Sequence, residues 1–435
     1  MKKVAYVLMV MAISAFITNP VKAETKVTWG GTFYSYTFFW QNQDFNKNTE
    51  DGDNFTYLHA HLHALADFGG GVKAFIKAGG WGEFGMHPIW GTNMDGGTDP
   101  QVGVLEAYAE IDNLFDLPVS VKVGKFNQLY GDGAVLFDGG EDGILGFKAT
   151  LGAGPISLDI LYDRLAEAGG IEKVGAMDTL IDDDLDLLGA YGTFSMGEMF
   201  SLSPYVFMRM NDTPGLKDHP MWLGGRMGIS PVNFATLTLE FTMMGGKMDF
   251  ETGTDINYKG KHLLAKLDAN VPNAPVSLGG AYVMFSGDDA TTTEDNEGYF
   301  AAAENPYTFG FYKWWPGFGP AHLMTTGYGF ACLAPWNPTM SNLNVINGHL
   351  GFAMNNFDVR LDFFNYSRNW VASGQDKPLG NEFALHAHYS YKGLIDLGAA
   401  VGYWMPGDRL KAELGLTDDD ADNLLGGFVY IFKSF

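Results

Sequence analysis

Apolar and polar residues alternate along most of this chain, in segments separated in turn by short and long connections. A period of two belongs to β-strands with one face in an apolar medium and the other in a polar one. In Phe55 to Asp67, for example, Leu58, Ala60, Leu62, Ala64 and Ala66 share one face, and His59, His61, His63 and Asp67 share the other. The tight connections are Phe68–Gly71, Asn113–Pro118, Leu151–Pro155, Ser195–Glu198, Ser230–Asn233, Pro272–Pro275, Asn355–Asn356 and Lys392–Gly393. They carry the Gly, Asn and Pro that turns require. Each alternates with a longer connection, such as Gln41–Asp53, Leu165–Asp184 or Pro406–Asn423. Strands at 202–211 and 221–230 leave one more longer connection between them. Counted this way, the chain holds about 18 strands (range 16–18), the even number expected of a single-chain transmembrane antiparallel β-barrel. The expected fold is all-β, with short periplasmic turns and long extracellular loops.

The two ends agree with export. Lys2 and Lys3, the apolar run Val4–Ile17 and the small-residue site Val21-Lys22-Ala23 read as a signal peptide over 1–23, cleaved after Ala23. A single barrel domain follows over 24–435. The alternating end of the chain, Gly427-Phe-Val-Tyr-Ile-Phe-Lys-Ser-Phe435, resembles the last strand of bacterial outer-membrane barrels. That resemblance implies recognition by the barrel-assembly machinery through Phe435, and it places the protein in the outer membrane of a Gram-negative bacterium.

Composition fits. The chain has 57 glycines, 14% aromatic and only 18% charged residues, which suits strands and turns. The net charge of −24 argues against nucleic acid and other polyanionic partners outside the barrel. Lone Cys332 excludes an internal disulfide framework. Expected partners are outer-membrane lipid, lipopolysaccharide and small hydrophilic solutes or ions, with the protein a monomer or a trimer.

A charge facing mid-bilayer costs several kcal/mol, so charged faces point into the lumen. This makes Lys73, Lys77, Glu106, Glu110, Lys122, Lys148, Asp159, Asp163, Arg209, Arg226, Glu240, Lys266, Asp358, Arg360 and Asp362 pore-lining, with His59, His61, His63, His386 and His388. His262, Asp268 and Lys125 join them in this reading. A lumen so polar implies water, and a barrel of this size leaves room for an aqueous channel. Trp29, Trp40, Trp81, Trp222, Trp370, Trp404, Tyr391 and Tyr403 lie near strand ends, where interfacial girdles are expected.

Other signals point elsewhere. Alternate histidines of one strand lie roughly 6–7 Å apart, so His59-x-His61-x-His63 and His386-x-His388 read either as metal ligands or as polar wall. His388-Tyr-Ser390 resembles the His-x-Ser pair of the outer-membrane phospholipase, which leaves a lipase-type hydrolase as one alternative. A structural or partner-filled barrel, such as the sheath of an electron-transfer complex, is another. Asp182–Asp184 and Asp418–Asp420 offer hard oxygens to Ca²⁺ or to divalent ions bridging lipopolysaccharide. The aromatic, Gly- and Pro-rich stretch Glu304–Pro338 reads as an inward-folded constriction or a hydrophobic lid. No catalytic site, resident metal or cofactor is expected: the Cys-x-x-Cys-His, nucleophile-elbow and zinc-protease motifs do not occur.

Val121-Lys-Val-Gly-Lys125-Phe-Asn127, with Tyr130-Gly-Asp-Gly133 and Glu141-Asp-Gly143, resembles the alginate-export family of outer-membrane porins. The resemblance implies an 18-stranded barrel with a charged lumen and a transport role. Lys125 stands where that family has Arg, and Phe126-Asn127 where it has Gln. A lysine is a point charge without the bidentate fork that reads a carboxylate.

Overall fold

The computed structural model describes residues 25–42, 44–84, 102–131, 135–137, 143–166, 171–174, 177–180, 184–213, 215–304 and 341–435. Met1–Ala23, Cys332 and most of Glu304–Pro338 lie outside these residues. So do Asp132, Gly133, Glu141, Asp142, Asp182 and Asp183 of the sequence motifs.

Eighteen long strands form one closed antiparallel barrel. We number them β1 (Lys26–Gln41), β2 (Asp53–Gly69), β3 (Val72–Phe84), β4 (Val102–Ile111), β5 (Val119–Phe126) and β6 (Ile144–Ala153). Next come β7 (Ile156–Ala166), β8 (Leu185–Met196), β9 (Phe200–Thr213), β10 (Leu216–Val232), β11 (Ala235–Phe250) and β12 (Lys261–Asn270). The last are β13 (Val276–Phe285), β14 (Leu343–Met354), β15 (Phe357–Ser367), β16 (Pro378–Tyr391), β17 (Ile395–Pro406) and β18 (Leu424–Ser434). Each pairs with the next, and β18 closes on β1 over Leu425–Ser434 and Thr32–Gln41. Reciprocal backbone bonds between Gly31 and Phe435, at 2.9 and 3.0 Å, extend that seam. Closure satisfies both edges of the sheet, the condition a lipid-embedded β-structure must meet.

The turns form for local reasons. Gly154 (φ 60°), Gly197 (φ 60°) and Asn355 (φ 56°) take the left-handed conformation that tight hairpins need. All eight short turns fall at one end. The opposite end differs from the sequence reading at one place: β9 and β10 run on to Thr213 and Leu216, so their connection is as tight as the turns below. Residues 212–213 and 216–220, read as part of a loop, belong to the sheet because Asn211, Asp212 and Thr213 pair with Asp218, Lys217 and Leu216.

The outward face carries the apolar set. Leu62 is 61% exposed and Val429 52%, and outward residues of other strands, such as Leu361 and Leu385, are exposed too. So much apolar surface on alternate residues all round a sheet is the mark of a lipid-facing band. Among the described residues no helix is long and apolar enough to cross a membrane.

The aromatic girdle is only partly where it was expected. Trp29, Tyr391 and Tyr403 face outward, Trp29 being 74% exposed. Trp40, Trp222 and Trp404 point inward and are buried. Trp370 lies in the 368–377 connection rather than on a strand, and the side chain of Trp81 is outside the described set.

The inner face is not uniformly polar. Its outer half is an aromatic and aliphatic core that includes Tyr36, Phe38, Phe207, Trp222, Phe285, Val345, Phe364, Tyr366, Trp404 and Phe428. Outer loops close over it. Phe45 packs edge-on against Trp404 at 5.2 Å, and helix α1 (Asp408–Leu414) buries Leu410 beside it. Glu413 of this helix is gripped by Arg368 and Arg409 at 2.7 and 2.6 Å. Burial works to raise its carboxyl, and the two guanidinium groups outweigh burial and hold it below the usual range.

Candidate functional site

The lumen is built by register. Opposite residues of antiparallel neighbours share a face, and this brings Asp67, Lys73, Glu110, Lys122 and Lys148 into one row across β2 to β6. Lys73 pairs with Asp112 at 2.7 Å, and Lys122 with Glu110 at 3.1 Å while its ammonium lies 4.2 Å from the centroid of Tyr108. Lys148 sits directly opposite Lys122 and has no carboxylate partner among the described residues. The row thus ends in two adjacent cations.

On the far wall a second set runs across β12 to β17, toward the short-turn end. Lys266 meets Asp268 at 3.1 Å, and His349 meets Asp268 at 3.4 Å. The amide nitrogen of Asn347 donates to Asp362 at 3.1 Å, and Arg360 grips the same carboxylate at 2.8 and 3.0 Å. His388 stands between Asp358 at 2.6 Å and Asp396 at 3.3 Å.

Nearly all the residues assigned to the lumen from sequence have inward faces, including Asp159, Arg209, Arg226, His61, His63 and His386. Lys125 is the exception. It pairs with Ala107 and with Leu145, which is outward and half exposed. Lys125 therefore lies on the outer face, where its ammonium donates to the carbonyl of Val104 at 3.3 Å. The reason is parity: Lys122 and Lys125 are three apart on an unbulged strand and cannot share a face. Sequence reasoning also passed over Asp218, Glu382 and Asp396, all inward. Their even separations from Arg226, His386 and His388 along or across the strands were the available signal. With them the wall is more acidic than basic.

Inward does not always mean bathed in the lumen. Lys77, Glu106, Glu240 and His59 are buried, and two outer connections fold in against the wall, one of them onto Glu106. In the first, Asn127 bonds Glu106 through its backbone and side chain at 3.2 and 2.9 Å, Gln128 donates to Asp163 at 2.7 Å, and Tyr130 donates to Asp159 at 3.1 Å. In the second, the Phe300 carbonyl accepts from the Trp222 indole at 2.8 Å, and Tyr299 packs on His262 and Phe285. The two segments meet: Ala302 donates to Val135 at 2.8 Å, and short strands at Leu129–Tyr130, Leu136–Phe137 and Ala303–Glu304 form one small sheet. Together they make a bar running from the β4–β7 wall to the β10–β13 wall. The constriction expected at Glu304–Pro338 lies outside the described residues; this bar precedes it in the chain.

Lys77 and Glu106 illustrate the energetics. They form a buried ion pair of 3.2 Å, and Glu106 also holds the bar through Asn127. Replacing Lys77 with Met leaves a buried carboxylate without its cation and should destabilise the barrel by about 3–5 kcal/mol, while Lys77→Met with Glu106→Leu should recover much of that. Urea midpoints of the refolded proteins check this. A single variant as stable as wild type would show that Glu106 is solvated after all.

The chemistry suggested by the histidines is not assembled. His59 and His61 lie nitrogen to nitrogen at 3.1 Å, yet no group of three or more metal-ligating side chains comes together among the described residues. Both ring nitrogens of His388 face carboxylates, so this imidazole is not turned toward Ser390 as its base.

No protein-family model matches the sequence, and no curated protein resembles it. Solved structures do. Acinetobacter baumannii OccAB1 is similar over 94% of this chain and 97% of its own, with a TM-score of 0.56 and 12% identity. Pseudomonas aeruginosa OccK2 (OpdF) in complex with glucuronate matches over 94% and 98%, with a TM-score of 0.55 and 10% identity. Pseudomonas aeruginosa OpdK with vanillate matches over 94% and 98%, with a TM-score of 0.55 and 9% identity. At such low identity the likeness concerns architecture. This chain shares the closed 18-stranded architecture of outer-membrane porins.

Proposed function

We propose that the protein is an outer-membrane channel for passive or modestly selective diffusion of small hydrophilic solutes. The observation that carries this is the inner wall: ionised side chains line it over the half nearer the short turns, where only water can solvate them. A bar of two infolded connections narrows the other half. Its lipid-facing band would sit among outer-membrane lipid and lipopolysaccharide. A sheath for a partner would need its lumen for that partner, and the bar already occupies part of it.

Lys122 and Lys148 would draw anionic groups, and the acids of β15 to β17 would draw cations. Glucuronate and vanillate, the ligands of the two similar proteins, are both carboxylates, and the adjacent lysines are where this wall would meet one. The polymer implied by the alginate-export resemblance is not part of this reading, since a polyanion needs a wall in which bases prevail. Single-channel recording of the refolded mature protein in planar bilayers tests the proposal. Steady openings are expected, and Lys122→Glu with Lys148→Glu should raise the cation-to-anion permeability ratio by about threefold or more. A folded but silent barrel would overturn the channel reading, and an unchanged ratio would overturn the role of the two lysines.

A further inference from the structure

Two histidines of the inner wall are built into its charge balance. His388 on β16 places Nδ1 2.6 Å from Asp358 of β15 and Nε2 3.3 Å from Asp396 of β17. His349 on β14 places Nε2 3.4 Å from Asp268 of β12 and Nδ1 3.3 Å from the side-chain oxygen of Asn347. That amide is oriented by its own nitrogen, which donates to Asp362 and to the carbonyl of Phe363. All four partners are acceptors. A neutral imidazole has one N–H and can satisfy only one of its two acceptors; the imidazolium satisfies both.

The surrounding charges make this consequential. Around His349 lie Lys266 and Asp268 on β12, Gly279 on β13, Asn347 on its own strand, and Arg360 and Asp362 on β15. Around His388 lie Asp358 and Arg360 on β15, His386 on its own strand, Asp396 and Gly398 on β17, and Tyr430 on β18, whose hydroxyl bonds His386 at 3.2 Å. With neutral histidines, Lys266 and Arg360 stand against Asp268, Asp358, Asp362 and Asp396, and acids prevail. With both rings charged, the formal balance of this arc is zero. Asp268, Asp358 and Asp396 remain partly exposed to the lumen, so passing ions feel the difference.

We infer that His349 and His388 form a pH-sensitive charge switch on the channel wall, giving a cation preference when neutral and losing it when protonated. The inference rests on the channel reading. The sign follows directly: lowering the pH adds positive charge to an acidic arc, so the cation-to-anion permeability ratio falls.

Reversal potentials in a KCl gradient, taken in planar bilayers at several pH values between about 5 and 8, test it. Wild type should lose about half or more of its cation preference across that range. His349→Gln with His388→Gln keeps amide donors that do not titrate, and its ratio should stay flat. His388→Gln alone, the milder variant, should give an intermediate slope. A wild-type ratio that does not move overturns the inference. A slope that survives in the double variant also overturns it and assigns the titration to other histidines, such as His61 or His63. The absence of any openings from a folded barrel overturns the channel reading itself, and this inference falls with it; openings with a pH-independent ratio overturn this inference alone.

Discussion

Replacing Trp222 with Ala should increase the single-channel conductance by about half or more without dismantling the barrel. The backbone of Trp222 is paired with Phe207 on one side and Met244 on the other, and that ladder survives the substitution. What disappears is the bar's anchorage. The indole, 0% exposed, donates to the Phe300 carbonyl at 2.8 Å and meets the Phe300 ring edge-on at 5.6 Å. Arg209 lies 5.9 Å from the Trp222 ring and 5.1 Å from that of Phe300, and is itself held by Asp218 at 3.1 Å. Truncating so large a buried ring costs about 3–5 kcal/mol, and the cost falls on the contact between wall and infolded segment. Trp222→Phe keeps an aromatic contact and loses the indole donor, so it should shift conductance less. Equal conductance in wild type and Trp222→Ala would mean that this end of the bar does not limit flow.

The barrel itself was legible in the sequence because its two signals are local. A period of two marks the strands, and Gly, Asn and Pro mark the tight connections. Parity then reveals the faces along unbulged strands such as β5, and fails at a bulge such as the one at Leu105. Trp222 lies four residues before Arg226, and Trp404 eight after Asp396, so both belong to the inner face by the same rule that placed the charges. Assigning them to a girdle gave residue type precedence over parity. Lys125 fell to the same slip, being an odd distance from Lys122. The bar could not be read in this way. Whether Glu106 or Asp159 meets water or an infolded residue depends on connections that return from elsewhere in the chain, and strand periodicity carries no record of them. The pairing of His388 with Asp358 and Asp396 needed β15, β16 and β17 in their exact register, which a one-residue slip would have inverted.

The largest effect on assembly should come from Gly124. It sits at φ +130°, a conformation that side chains rarely adopt, and it faces Tyr108 across the β4–β5 ladder. That ladder covers only Ala107–Ile111 and Val121–Lys125, the shortest between successive long strands. A Cβ at position 124 would collide with the Ala107 carbonyl and come within 2.7 Å of the Tyr108 Cα. Both are backbone atoms held in place by β3, so neither can yield as the tip of a flexible side chain would. The dihedral alone costs about 1–3 kcal/mol, and the overlap adds to it by prying apart the weakest seam of a closed sheet. A barrel cannot tolerate one open seam as a sandwich tolerates a frayed edge, since the freed backbone groups would face lipid. Gly124→Ala should therefore reduce the fraction that refolds into lipid vesicles, read as the fast-migrating band on unheated gels, to about a tenth of wild type or less. Gly152→Ala on β6 is the matched control, because nothing lies within 4 Å of the Cβ it would gain. If the two variants refold equally well, the β4–β5 seam is not the weak point that its register indicates.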